Sequence, residues 1–278
     1  MKPQFDPAAM TPADHADLVD AVRRLEHFGL AVRMSNAFGR QLSFARRLAP
    51  ERVTKIVDGA ATAAMRVALR AAIRSLDNRP LGDRNRYHMA LAAASGAAGG
   101  ALGLASLPIE LPVTTMVMLR SIADIARSQG EDLADPETAL ACLEVFALDG
   151  RTEGEITESG YFAVRGLLAR SVSEAARYIA GRGVVDESAP VLVRLLAVIA
   201  KRFGVVVSQK FVAQAAPLLG AFGGAAINVA FTDHFQSLAK GHFTVRRLER
   251  KYGADATRLE YERIAAAKIP DEITPPAA

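Results

Sequence analysis

Apolar residues recur along most of this chain at helical rather than strand spacing. Thr11-Pro12-Ala13-Asp14 is a helix start with a cap, a first-turn proline and an early acid, and Leu18, Val22 and Leu25 then share one face until Gly29. A second helix is predicted over about 30–48. Ala49-Pro50-Glu51 opens a third, with Val53, Ile56, Val57, Ala60, Ala64 and Val67 as its apolar face. Its last turns carry Arg66, Arg70 and Arg74, four apart and on one stripe that either faces solvent or meets lipid headgroups. Residues 76–83 form a turn-rich break.

An apolar stretch, 89–119, follows with Glu110 as its single charge. In Leu107-Pro108-Ile109-Glu110-Leu111-Pro112 the two prolines predict a non-helical elbow, with Pro112 opening the next helix and Gly130 ending it. Glu110 is expected to be buried there, held by Arg120, by backbone N–H groups at the helix start, or by both. Asp135-Pro136-Glu137 is a strong helix start, followed by an acidic loop at 149–157. Further helices are expected over 158–179, from Ser188-Ala189-Pro190 to Phe203, and over 255–268. Val205–Val207 is too short and isolated to make a sheet. Pro217 kinks or restarts a helix through a second apolar stretch, 211–232, and residues 269–278 read as a loose end.

The two apolar stretches share a spacing. Gly96 and Gly100, Gly99 and Gly103, and Gly220 and Gly224 are each four apart, which leaves a smooth helix face that another helix can approach. Residues 89–109 contain no charge, but eight of these positions are Ala and four are Gly, a poor composition for a simple membrane span. Close packing in a helical core and a membrane dip both fit. The fold class expected is all-α, a single multi-helix bundle built around two Gly/Ala-rich close-packed helices.

Composition narrows the setting. The one cysteine, Cys142, rules out an internal disulfide framework, and the N-terminus lacks the apolar run of a signal peptide. The expected location is cytoplasmic, with or without a peripheral place at the inner membrane. Residues 1–88 carry 15 Lys or Arg against 9 Asp or Glu, residues 89–157 carry 3 against 10, and residues 158–278 carry 16 against 11. Basic flanks around an acidic centre could face an anionic membrane or pair within the molecule. Basic residues spread along helices without a binding motif argue against nucleic acid.

No P-loop, nucleophile elbow or HExxH pair is present. What remains are polar residues in apolar surroundings. Arg120 and Asp124 are spaced to pair along a helix, and Glu144 is expected to face Arg120 or Glu110 across the core. Asn228, Asp233, His234 and His242 follow the second glycine set; Asp233 and His234 either help hold a metal or satisfy backbone groups at a helix end. No catalytic, cofactor or metal residue is assigned.

Two blocks carry a family resemblance. SGAAGGALGLASLPIELPVTTMVMLRSIADIARSQGEDLADPETALACLEVFALDG and GAFGGAAINVAFTDHFQSLAKGHFTVRRLERKYG resemble the signature region and C-terminal block of the EcsC protein family, from about Tyr87 to Gly253. The positions that match its motif are Gly96, Gly100, Pro108, Glu110, Pro112, Arg120, Asp124, Glu144, Asn228, Asp233, His234 and His242. The resemblance implies a bacterial helical protein linked to a membrane process beside ABC transporters, with no biochemical function established. Residues 1–80 then read as an N-terminal helical region on the core, 81–254 as the EcsC-like core, and 255–278 as a C-terminal helix and tail. Three functions fit. The first is a non-enzymatic accessory protein that touches an anionic membrane, bound lipid or a transport component. The second is a hydrolase or lipid-modifying enzyme using buried carboxylates or a His/Asp metal site. The third is a carrier or sensor of an apolar small molecule.

Overall fold

In a computed structural model, residues 10–26, 51–75, 107–149, 160–181, 186, 188–214 and 220–267 are described. Among them there are eight α-helices and no strand: α1 (Pro12–Glu26), α2 (Glu51–Ser75), α3 (Leu107–Ser128), α4 (Pro136–Glu144, continued by a 3-10 turn Val145–Ala147), α5 (Gly160–Ala180), α6 (Pro190–Gln214), α7 (Gly220–Tyr252) and α8 (Ala254–Ala266). The all-α class is as expected. The first glycine stretch, the predicted 30–48 helix, the 76–83 break, Pro217 and most of the acidic loop lie outside the described residues, as do the side chains around Gly220–Gly224.

Several boundaries follow local chemistry. Thr11 Oγ1 accepts the backbone N–H of Asp14 at 3.2 Å and caps α1. α3 ends in a Schellman motif: Gly130, at φ +78°, donates to Arg127 O, and Glu131 N donates to Ala126 O. Asp135 caps α4 by accepting from Glu137 N and Thr138 N. Glu26, at the end of α1, accepts from Gly160 N and Tyr161 N and so caps α5 from another helix.

α7 is the axis of the described fold. Its 33 residues span about 50 Å. Residues 234–239 are all buried, which a helix achieves only when neighbours surround it. α1 and α8 cover its C-terminal half, while α3 and α6 pack along it. Phe146, Phe203, Phe231 and Phe235 form an aromatic cluster with ring centroids 5.1–6.1 Å apart. α2 packs on α3 and α6 through Ala60, Ala61, Ala64 and Ala68, whose short side chains permit close approach. The tightest crossing is at Gly241, where an added Cβ would lie 2.7 Å from Leu25 Cγ.

Four expectations need correcting. The prolines make no elbow: α3 begins at Leu107 and runs through both. Pro108 sits in a first turn whose N–H groups have no intrahelical partner, and Pro112 forfeits only one bond, to the carbonyl of residue 108. Burial of Leu111, Met118, Leu119 and Ile122 on that helix offsets the loss. The face of α2 is rotated, with Met65, Ala68 and Leu69 buried and Ile56 exposed, because the alanines seek the close contacts. α6 continues past Phe203 to Gln214, and its Val206 and Val207 are buried helical residues. Finally, no helix ends near Asp233, because α7 runs unbroken through it.

Candidate functional site

Two regions gather chemistry, one open and one closed. The open region is a groove between α2 and α6 with a volume of about 710 Å³. Leu69, Val193, Leu196, Ala197 and Ala200 supply its apolar surface, and Arg66, Arg70, Lys201 and Asp58 line it with charge. Asp58 and Gly204 bring the two helices together at one end, where an added Cβ on Gly204 would lie 3.2 Å from Asp58 Oδ1. Arg66 on α2 and Lys201 on α6 both line the groove, and both are exposed. Three cations against one carboxylate, over an apolar floor, make a surface suited to an anionic group joined to a hydrocarbon.

The closed region lies where α4, α5 and the C-terminal half of α7 meet. Arg165 makes a bidentate pair with Glu249, at 2.8 and 3.1 Å, and also donates to Tyr161 Oη at 3.3 Å. Tyr161 Oη lies 3.0 Å from His242 Nδ1. With its oxygen already accepting from Arg165, the phenol donates to Nδ1, which leaves His242 protonated on Nε2. Nε2 has no hydrogen-bond partner and points toward Glu144 Oε2, 4.0 Å away. Burial drives the His242 pKa well below the ordinary value, with Arg165 and Arg246 adding to the effect. Burial pushes Glu144 up to about 7, against the pull of Arg165 and Arg246. The pair is therefore a neutral imidazole facing a largely protonated carboxyl at mildly acidic pH, and not an ion pair.

Beside it, Glu131 accepts from Arg246 at 2.9 and 3.1 Å, from Thr138 Oγ1 at 3.1 Å, and from Arg250. Burial raises the Glu131 pKa, but the two guanidiniums outweigh it and hold the carboxyl low. Cys142 is fully buried, and desolvation pushes its thiol up to about 12, which makes it inert. At 4.0 Å, Glu144 and His242 Nε2 stand beyond hydrogen-bond distance and share no proton. None of the cluster's members lines the α2–α6 groove.

The sequence candidates are scattered among these surroundings. Glu110 is buried, in the first turn of α3, while Arg120 is exposed. Asp124 does not pair with Arg120; it is buried and takes Arg127 Nη1 at 3.2 Å. Glu144 faces His242 in place of Arg120 or Glu110, because the charges acting on it come from α4, α5 and α7. Pro108 is exposed and Pro112 half-buried. Asn228 is buried, and its carbonyl accepts from Thr232 Oγ1 at 2.9 Å. Asp233 is exposed while the adjacent His234 is buried, so the two point apart. His234 Nε2 approaches Asp149 Oδ2 to 2.9 Å without the alignment of a hydrogen bond. Among the described residues no group of three or more His, Cys, Asp or Glu could hold a metal ion. Gly96 and Gly100 lie outside the described residues.

Sequence reading missed Tyr161, Arg165, Glu131, Arg246 and Lys201. The arginines and acids look like ordinary helix-surface charges. A signal was available in α7, where Arg246 and Glu249 stand one and two turns from His242 in a segment too rich in Phe and Leu to be all surface.

The chain matches the model of the EcsC protein family over residues 45–248, and it belongs to that family. The match starts well before the two sequence blocks and takes in α2, and therefore one wall of the groove. No curated protein and no solved structure matches the chain.

Proposed function

We propose that this protein is a non-enzymatic accessory protein that works at an anionic membrane surface. The observation that carries the reading is the α2–α6 groove, with Arg66 and Lys201 exposed on opposite walls of an apolar trough. Anionic headgroups attract exposed cations, and the attraction falls within about one Debye length. Among the described residues no helix is long and apolar enough to cross a membrane, so the reading is of contact with a surface.

Co-sedimentation with vesicles tests it. The protein is expected to pellet with phosphatidylglycerol vesicles at low salt, to be released at high salt, and to ignore phosphatidylcholine vesicles. Charge reversal at both Arg66→Glu and Lys201→Glu should abolish pelleting. Equal partitioning onto neutral and anionic vesicles, or none onto either, would remove the proposal.

A further inference from the structure

We infer that the α2–α6 groove takes up one anionic amphiphile, its alkyl chain along Leu69, Leu196 and Ala197 and its acidic head between Arg66 and Lys201. This rests on the membrane-surface reading above and goes past it, since it makes the protein a carrier of a lipid and not only a visitor to a lipid surface. The volume of about 710 Å³ falls within the range of small-molecule sites. A bare inorganic anion would use the cations alone, and exposed ion pairs bind weakly. A chain adds about fourfold in affinity for each methylene it buries. The floor suits that: Leu69 and Leu196, from opposite helices, close its bottom as almost fully buried side chains, and Val193 and Ala197 are its exposed apolar positions. The charges favour an acidic head over a neutral or cationic one, because Asp58 is one carboxylate beside two exposed cations, Arg66 and Lys201. Arg70 has an interaction of its own, so Arg66 and Lys201 carry the recognition.

The test uses the full chain with dodecyl phosphate below its micelle concentration, read by native mass spectrometry and by titration calorimetry. One dodecyl phosphate per chain is expected. Inorganic phosphate and dodecyl maltoside should bind at least tenfold more weakly. Ala197→Trp projects a ring into the trough from an exposed helix position, and it should weaken uptake at least tenfold with an unchanged thermal midpoint. Arg66→Glu with Lys201→Glu should do the same. Uptake indifferent to Ala197→Trp, or matched by inorganic phosphate, overturns the inference. Absence of uptake by a wild-type protein that still pellets with phosphatidylglycerol vesicles overturns it too, while leaving the surface reading standing; the groove would then be closed to lipid, for instance by other segments of this chain. Loss of both binding activities removes both proposals.

Discussion

The cluster around Glu131, Glu144 and His242 and the groove around Arg66 and Lys201 use the same residue types to opposite ends. In the cluster every guanidinium meets a carboxylate or a phenol: Arg165 with Glu249 and Tyr161, Arg246 and Arg250 with Glu131. Its strength depends on completeness, because a buried charge without its partner is far more costly than an absent pair. In the groove the cations outnumber the carboxylate and stay in water. An excess of charge is tolerable at a surface, where screening is strong, and it leaves something for a ligand to neutralise. Burial thus turns arginine into a structural fastener, and exposure leaves it available for binding.

Removing one member of the closed cluster should produce the largest effect. Glu131→Ala strands the half-buried Arg246 beside a carboxylate-shaped hole, while the exposed Arg250 turns to water, and it is expected to lower stability by about 3 kcal/mol in urea denaturation. A second change at Arg246→Met should recover part of that loss, since the stranded charge goes with it. A loss below 1 kcal/mol for Glu131→Ala would mean that the cluster is solvated and that the contrast with the groove is false.

Glu144 sharpens the contrast through pH. Its folded pKa, about 7, lies above that of an unfolded carboxyl, so the native state binds the extra proton. Its effect on stability is nil below about pH 4 and becomes increasingly unfavourable as pH rises to 7. His242 has the opposite sign: its depressed pKa leaves stability intact above about pH 6.5 and erodes it as pH falls. Asp14 joins His242 on the acid side. The Lys251 ammonium and the Tyr252 hydroxyl hold its carboxyl well below the usual range, so the support it gives α1 is present at neutral pH and fades in acid. Glu144→Gln keeps the shape without the ionisation. It should match wild type near pH 4 and exceed it by about 2–3 kcal/mol at pH 8, as seen in denaturation midpoints. Identical pH profiles for the two proteins would show that Glu144 is ionised without cost.

Two glycines compare the packing on either side. An added Cβ at Gly241 would sit 2.7 Å from Leu25 Cγ and 3.2 Å from Ala21 O, so α1 must move; Gly241→Ala should destabilise by about 1–3 kcal/mol despite the better helix propensity. At Gly204 the tight neighbour is the Asp58 carboxylate, a side-chain end that can swing away. Gly204→Ala should be neutral or stabilising by up to about 1 kcal/mol, the helix gain of alanine over glycine. Thermal melts of the two variants check the order, and a reversed ranking would refute the description of both crossings.

The fold was legible where the chain announces itself in local chemistry. Thr11, Asp135-Pro136 and Gly130 each fix a helix end through their own hydrogen bonds or dihedral angles, and those three ends stand where the residues put them. The length of α7 was not legible, because its buried positions include Asn228, Thr232, His234, Gln236 and Ser237, which imitate a helix terminus. Two of them are met inside by partners from distant segments: Gln236 donates to Ser121 Oγ at 2.8 Å, and Ser237 accepts from Arg24 at 3.2 Å. The elbow at Pro108 and Pro112 failed for the related reason that tertiary burial overrode propensity. Glu144 and His242 were singled out separately, but their meeting depends on α4 and α7 crossing, which no local spacing encodes. In the groove the Arg66 stripe was visible and Lys201 was not, since the two line one groove only after α6 packs on α2.

The smallest expected effect completes the comparison. Arg66 and Lys201 are exposed, and among the described residues neither makes an ion pair, although Asp58 lines the same groove. Arg66→Ala with Lys201→Ala should therefore leave stability within about 0.5 kcal/mol of wild type, as for most surface substitutions. Removing two like charges that share one trough also relieves repulsion, so the sign of any small shift should be toward stability at low salt and should vanish at high salt. Membrane binding should respond in the other direction. Each cation near an anionic surface contributes about 1 kcal/mol, so the double variant should lose roughly tenfold or more in affinity for phosphatidylglycerol vesicles. Measured together, chemical denaturation and vesicle titration give two independent readings of one pair of residues. Unchanged stability with weakened binding is the outcome that distinguishes the groove from the cluster. A large fall in stability would place Arg66 and Lys201 among the structural fasteners, and the division between the two regions would have to be redrawn.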